Sequence, residues 1–315
     1  MIAIVSPCFN EQNTVLSFLE KLENVLSTLE ERFHVIMVDD CSQDDSLQQL
    51  SHYKFRSPAI KLTILELKFN LGQQGAIHQG LLYAARQRPE HVIVMDCDGE
   101  DDPRAIPALL QHKNYQVVQV TRGRRSESLL FRISYSWYKI IFRFITGKRI
   151  DFGNYSMISR DVVDRICHTS FVHFPAYLLK QKASRASIRY DRSKRIDGQS
   201  KMGYNGLFLH AFKSMIEFAE DLLLLFFRLF LINSVLFIAL MINIVYQKFV
   251  AHTAILGWFS TLAISLIILA VLSIGFFITG VLLLNLMHQQ NSKSYREIYT
   301  VINSNEITEQ AETIR

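Results

Sequence analysis

A chain of 315 residues has room for one large or two modest domains, and its formal net charge of +5, from 34 Lys and Arg against 29 Asp and Glu, is too modest to name a partner. The four cysteines, Cys8, Cys41, Cys97 and Cys167, are scattered with no CxxC pair, as expected of a reducing compartment and of a chain without structural zinc. Composition is uneven: two long uncharged runs set the last third of the chain apart.

In chain order, residues 2–6 are apolar and strand-like. They follow Met1 without a basic leader, so no secretory signal is expected, and residues 1–220 are expected to stay in the cytosol. The strand ends at Pro7-Cys-Phe-Asn-Glu11, and helical spacing of Val15, Phe18, Leu19, Leu22, Val25, Leu26 and Leu29 follows over residues 14–29. A second strand, residues 34–38, delivers Asp39, Asp40, Ser42 and Asp44 to its carboxyl end before a helix near 45–54. A third strand, residues 62–67, leads into Asn70-Leu-Gly72-Gln-Gln-Gly75-Ala76 and a helix through Ala85. Strands alternating with helices predict an α/β fold, a parallel sheet with helices on both faces whose polar loops converge on one crevice.

The fourth strand, residues 92–95, carries the richest chemistry: Asp96, Asp98, Glu100, Asp101 and Asp102 crowd onto its carboxyl end. Oxygen ligands of this kind suit Mg2+ or Mn2+, which clamp the phosphates of a nucleotide. The alternative is an acidic turn capping the next helix, with Asp102 as N-cap and Pro103 as first helical residue. For Asp39, Asp40 and Asp44 the corresponding alternative is a turn cluster at a helix start. No GxGxxG, P-loop, HExxH or GxSxG is present, which removes the common dinucleotide, NTPase, metalloprotease and hydrolase readings.

Pro7-x-Phe-Asn-Glu11, Val38-Asp-Asp-x-Ser42-x-Asp44, Asn70-x-Gly72-x-x-x-Ala76 and Asp96-x-Asp98, in that order, resemble the family 2 inverting glycosyltransferases of GT-A (Rossmann-like) fold. The resemblance implies that Pro7, Phe9, Glu11, Asp39, Asp40, Asp96 and Arg125 bind the nucleotide-sugar donor, with Asp39 accepting a base N–H. It also implies that Asp96, Asp98 and Glu100 hold the divalent ion, Glu100 standing where many relatives have glutamine.

Between Arg122 and Arg149 eight basic residues stand against one acid, Glu127, while Leu129, Leu130, Ile133, Trp137, Ile140, Ile141 and Phe144 recur at helical spacing. This pattern predicts an amphipathic helix over 128–147 lying in a membrane interface, with an ordinary core-packing helix as the alternative. The large apolar face disfavours nucleic acid as a partner. Asp151-Phe-Gly-Asn-Tyr resembles the family segment that places an aspartate on the active-site floor, which makes Asp151 the candidate base or acceptor-orienting group. Arg195-x-x-Gly198-x-Ser200-Lys201 resembles the dolichyl-phosphate mannose synthase and polyprenyl-phosphate glucosyltransferase branch. There these residues attend the lipid phosphate and the donor diphosphate, so Asp98, Asp151 and Arg195 are the expected catalytic residues, and Arg195, Ser200 and Lys201 the acceptor site.

A second amphipathic stretch, 204–220, feeds two predicted transmembrane helices, near 228–247 and 256–287, within a membrane segment of 221–288. Lys and Arg are dense up to Arg228 and recur at Lys293 and Arg296, whereas the connector holds only Lys248, so both termini are expected in the cytosol. Gly275 and Gly280 permit close helix packing, and the sequence leaves a homo-oligomer open. The tail, 289–315, is polar and receives no role. The expected reaction is metal-dependent transfer of a sugar from a UDP- or GDP-sugar to a polyprenyl phosphate. The alternatives are transfer to a hydroxyl of a growing glycan and a non-catalytic nucleotide-sugar-binding membrane protein. The lack of QxxRW and the two spans, too few for a polysaccharide channel, argue against a processive synthase.

Overall fold

The computed structural model describes residues 1–122, 129–149, 152–169, 171–190, 212–251, 257–291 and 298–303. Arg125, Asp151, Arg195, Ser200, Lys201 and the 204–211 part of the second amphipathic stretch lie outside the described residues. The chain divides into two compact units, one of residues 1–138, 149–217 and 295–315, the other of residues 139–148 and 218–294.

The first unit is built on an eight-stranded sheet in the order β7-β5-β6-β4-β1-β2-β3-β8. Strands β1 (Ile2–Cys8), β2 (Phe33–Asp39), β3 (Ile60–Leu67) and β4 (His91–Val94) are parallel, as the alternation predicts. Helix α1 (Val15–Leu26) falls where the apolar spacing puts it, and α2 (Ser46–His52) and α3 (Gly72–Arg86) follow their strands as expected. Every residue of β1 and β2 is buried, so both faces are covered. Ile2, Ile4, Val35 and Met37 pack with Phe18, Leu19 and Leu22 of α1 on one face. Ala3, Val5, Ile36 and Val38 pack with Ile77 and Leu81 of α3 on the other. Gly80 lets α3 approach closely, because a Cβ there would stand 2.4 Å from Val5 Cγ1 and 2.9 Å from Val38 Cγ2.

The sheet is mixed rather than wholly parallel. Beyond a 3-10 turn (Pro103–Ala105) and α4 (Ile106–Leu110), β5 (Val117–Arg122) pairs antiparallel with β6 (Phe152–Ser159), which also runs antiparallel to β4. α6 (Arg160–Cys167), α7 (Phe174–Lys180) and β7 (Arg185–Tyr190) complete that side, with β7 parallel to β5. On the opposite edge β8 (Tyr299–Asn303), from the tail that the sequence left without a role, pairs antiparallel with β3.

The predicted interfacial helix is α5 (Leu129–Thr146), which exposes Trp137, Ile140, Ile141 and Phe144, the last at 75%. In the second unit, Phe142 is buried edge-on against Phe218, with ring centroids 5.3 Å apart. The two apolar helices are α8 (Ala219–Tyr246) and α9 (Trp258–Asn291), both long and apolar enough to cross a membrane. α8 begins nine residues before the predicted start at 228, because an arginine such as Arg228 is a good helix former and interrupts only the uncharged run, not the helix. At about 1.5 Å per residue both exceed the roughly 30 Å of a bilayer core. They hold each other through Asn233 Nδ2 donating to Leu266 O at 3.1 Å and through Leu223 seated against Gly280. Gly275 faces open space instead.

Candidate active site

The carboxyl ends of β1, β2 and β4 carry those donor and metal candidates that fall among the described residues. Within β1 Pro7 is buried, and just beyond its end Phe9 is 40% exposed. Asn10 adopts a left-handed conformation (φ 54°) and is tied to the β2 loop from both sides. Its N–H donates to Ser42 Oγ at 3.0 Å, and Gln43 N–H donates to Asn10 Oδ1 at 2.8 Å. Glu11 N–H donates to Ser46 Oγ at 2.7 Å, and the Glu11 carboxylate accepts from Thr14 Oγ1 at 2.6 Å.

Asp39 is 1% exposed. Its Oδ2 accepts the Ser42 N–H at 3.0 Å, while Oδ1 lies buried with no hydrogen-bond partner among the described residues. Burial raises its pKa above the ordinary carboxylate value against the lowering effect of Ser42. An acceptor in that position has use for an N–H donor from a ligand. Asp40 does different work: Oδ1 accepts Leu71 N–H at 2.7 Å and its carbonyl accepts Asn70 Nδ2 at 3.1 Å, so it ties the β3–α3 connection to β2. Burial raises its pKa as well, with Leu71 opposing. Asp44 caps the turn as the alternative reading has it, accepting from Gln12 N–H and Ser46 N–H.

The acidic loop after β4 splits into two sets. Asp101 and Asp102 turn inward: Asp101 Oδ2 accepts Asp96 N–H at 2.9 Å, and Asp102 caps the 3-10 turn through Arg104 N–H and pairs with the Arg104 guanidinium at 2.6 Å. Thus Asp102-Pro103 is the N-cap and first turn residue that the alternative reading describes. Asp96, Asp98 and Glu100 are all half-buried. Asp96 Oδ1 accepts two amides, Gln73 Nε2 at 2.8 Å and Asn154 Nδ2 at 3.2 Å, and Asp98 Oδ1 accepts Glu100 N–H at 2.9 Å.

Among the described residues no three His, Cys, Asp or Glu side chains gather as a set able to hold a metal, so Asp96, Asp98 and Glu100 do not form a preassembled three-carboxylate cage. The donor chemistry still fits Mg2+ or Mn2+. Mg2+ is usually held by one or two carboxylates plus substrate phosphates, and ligating carboxylates are themselves oriented by hydrogen bonds of the kind that Gln73 and Asn154 make. Those two amides are not singled out by the sequence. Both lie inside segments that are, and carry no charge to mark them.

Known proteins agree with this architecture. An uncharacterized glycosyltransferase of Bacillus subtilis (strain 168) is 24% identical over 84% of this chain and 83% of its own length. An undecaprenyl-phosphate 4-deoxy-4-formamido-L-arabinose transferase of Klebsiella pneumoniae (strain 342) is 28% identical over 64% of this chain; the match spans 63% of that enzyme, less than two thirds. Mannosyl-3-phosphoglycerate synthase from Rubrobacter xylanophilus shares the fold with a TM-score of 0.53 and 13% identity, covering 70% of this chain and 74% of that one. Glucosyl-3-phosphoglycerate synthase from Mycobacterium tuberculosis, crystallised with Mn2+, UDP and phosphoglyceric acid, does so with a TM-score of 0.51 and 14% identity over 70% and 78%. Residues 3–177 match the family described as Glycosyl transferase family 2, and with more than half of its length in that match the chain belongs to this family of glycosyltransferases.

Proposed function

We propose that the protein transfers a sugar, with inversion, from a UDP- or GDP-sugar to a polyprenyl phosphate at the cytosolic face of a membrane. The observation that carries the donor half is the placement of exposed Phe9, buried Asp39, whose Oδ1 has no hydrogen-bond partner among the described residues, and the half-buried Asp96 and Asp98 at the carboxyl ends of neighbouring strands. Phe9 offers a face for the base and Asp39 Oδ1 an acceptor for its N–H; Pro7 and Glu11 shape that end of the crevice. Asp96 and Asp98 would hold Mg2+ or Mn2+, whose charge stabilises the diphosphate as it leaves. Gln73 and Asn154 fix the Asp96 carboxylate for that task.

The acceptor half rests on the exposed Trp137, Ile140, Ile141 and Phe144 of α5 among basic neighbours, a face suited to an anionic lipid surface. It also has support from relatives named as undecaprenyl-phosphate transferases. Arg195, Ser200 and Lys201 would bind the lipid phosphate and Arg125 the donor. The phosphate oxygen attacks the anomeric carbon, the bond to the diphosphate breaks, and the nucleoside diphosphate departs. A phosphate monoester, with its second pKa at about 6, is already mostly a dianion at neutral pH. Asp151 therefore orients the acceptor rather than removing a proton from it. α8 and α9 would anchor the chain as a hairpin, and an even number of crossings is supported by β8 joining the same sheet as β1.

Polyprenyl phosphate and the matching polyprenol, offered side by side to the detergent-solubilised protein with a labelled donor, test the acceptor. Label on the phosphate alone is the expected outcome; equal labelling of the alcohol would favour a hydroxyl acceptor and make Asp151 a base.

A further inference from the structure

Strand β8 contributes nothing to the chemistry proposed above, yet it grips the β3–α3 junction on both sides. Lys68 N–H donates to Ile298 O at 3.2 Å, and Ile298 N–H donates to Gln79 Oε1 on α3 at 3.3 Å. Tyr299 pairs with Leu67 and meets Tyr83 of α3 edge-on, with centroids 6.0 Å apart. From the other side Asp40 holds Asn70 and the Leu71 N–H. The connection 68–71 is thus braced between β2 and the tail.

Helix α3 begins one residue later, and its first turn points into the site. Gln73 donates to Asp96, while Gln74 donates to Asn154 Oδ1 at 3.3 Å and accepts Phe174 N–H at 2.6 Å. Covering the open edge of β3 would by itself explain the backbone pairing of β8 there. It does not explain why Gln79, 5% exposed in the helix, turns its side-chain oxygen to the Ile298 amide.

We propose that residues 298–303 are a positioning element of the donor site: by holding Lys68 and Gln79 they fix the β3–α3 connection, and through it the amide of Gln73 on Asp96. This rests on reading the crevice as the donor site. The segment follows both apolar helices in the chain, so the donor carboxylate gains its full orientation only after the hairpin has been made and the chain has returned to the sheet.

The test compares the full chain in detergent with a chain ending at Glu297 and with Gln79→Ala. Hydrogen exchange over residues 71–76 and the donor KM are read alongside Tm. Loss of the tail is expected to speed exchange there and to raise donor KM roughly tenfold, the size of one or two bracing hydrogen bonds, with a smaller change in kcat. A peptide of residues 298–303 added in trans should restore both, and Gln79→Ala should shift both in the same direction by less. Unchanged exchange and KM in both variants would overturn the proposal, as would a fall in Tm with donor KM intact. If the shortened chain fails to fold, Gln79→Ala decides. Exchange needs no donor, so a protein inactive with every nucleotide sugar would defeat the proposed function and leave this result readable.

Discussion

Gln73, on the first turn of α3, donates its side-chain amide across 2.8 Å to Asp96 at the end of β4, and Asn154 of β6 donates to the same oxygen at 3.2 Å. Three elements from distant parts of the chain meet at one carboxylate oxygen. Removing either amide leaves Asp96 freer to rotate. Gln73→Ala and Asn154→Ala should each raise the Mn2+ or Mg2+ concentration needed for half-maximal activity by roughly 10- to 100-fold, as loss of partners to metal-ligating groups typically does. Metal titration of transfer activity checks this; activation curves identical to the unaltered protein would remove Asp96 from the metal site.

Asp39→Asn separates function from stability. The acceptor for Ser42 N–H survives, but the buried carboxylate that would meet the base is replaced by a neutral amide. Donor KM should rise about 10- to 100-fold, the cost of one badly matched buried hydrogen bond. Burial raises the Asp39 pKa in the folded protein, so ionisation above the unfolded value of 3.8 costs stability. The variant should therefore melt at the same or a higher temperature at neutral pH, an advantage that fades as the pH falls toward 3.8. Thermal melts at neutral pH and near the unfolded carboxyl value measure it.

His34 sets an acid limit. Its ring bonds Thr63 Oγ1 at 2.9 Å, and burial, assisted by Lys61, lowers its pKa to about 4. The folded state thus refuses a proton that the unfolded chain takes up near 6.5. Stability from this source is complete above 6.5 and is lost as the pH falls toward 4, by about 3 kcal/mol in all. Denaturant melts across that range should fall more steeply for the unaltered protein than for His34→Gln. Parallel curves would show that His34 does not carry the effect.

Trp137 and Phe144, 62% and 75% exposed, are the most exposed rings of α5 among the described residues. Replacing both with serine removes apolar surface that would enter the bilayer interface, and should raise the KM for the lipid acceptor on the order of tenfold while donor KM stays put. A shift in donor KM alone would argue that α5 serves the nucleotide side instead.

The first four strands and three helices are legible in the sequence because each apolar run is bounded by polar loops and because strand and helix periods alternate. β8 is not: Tyr-Thr-Val-Ile-Asn is an ordinary short run, and its strand state depends on the edge of β3, more than 230 residues earlier. The acidic loop is legible as a cluster but not as a division of labour. Asp101 and Asp102 are consumed by Asp96 N–H and Arg104, and charge counting alone cannot tell them from Asp98. Gln73 and Asn154 escape notice for the opposite reason, since uncharged amides stand out only when a carboxylate is found in front of them.

The most direct measurement is a membrane-fraction assay with radiolabelled UDP-glucose, UDP-GlcNAc and GDP-mannose, with and without polyprenyl phosphate and Mn2+, followed by organic extraction. Label is expected to enter the organic phase with one donor, only when lipid phosphate and metal are both present, and to fail to do so with Asp98→Asn. Label appearing only as free sugar or on a water-soluble glycan, whatever lipid is added, would contradict the lipid-phosphate acceptor on which the proposed function turns.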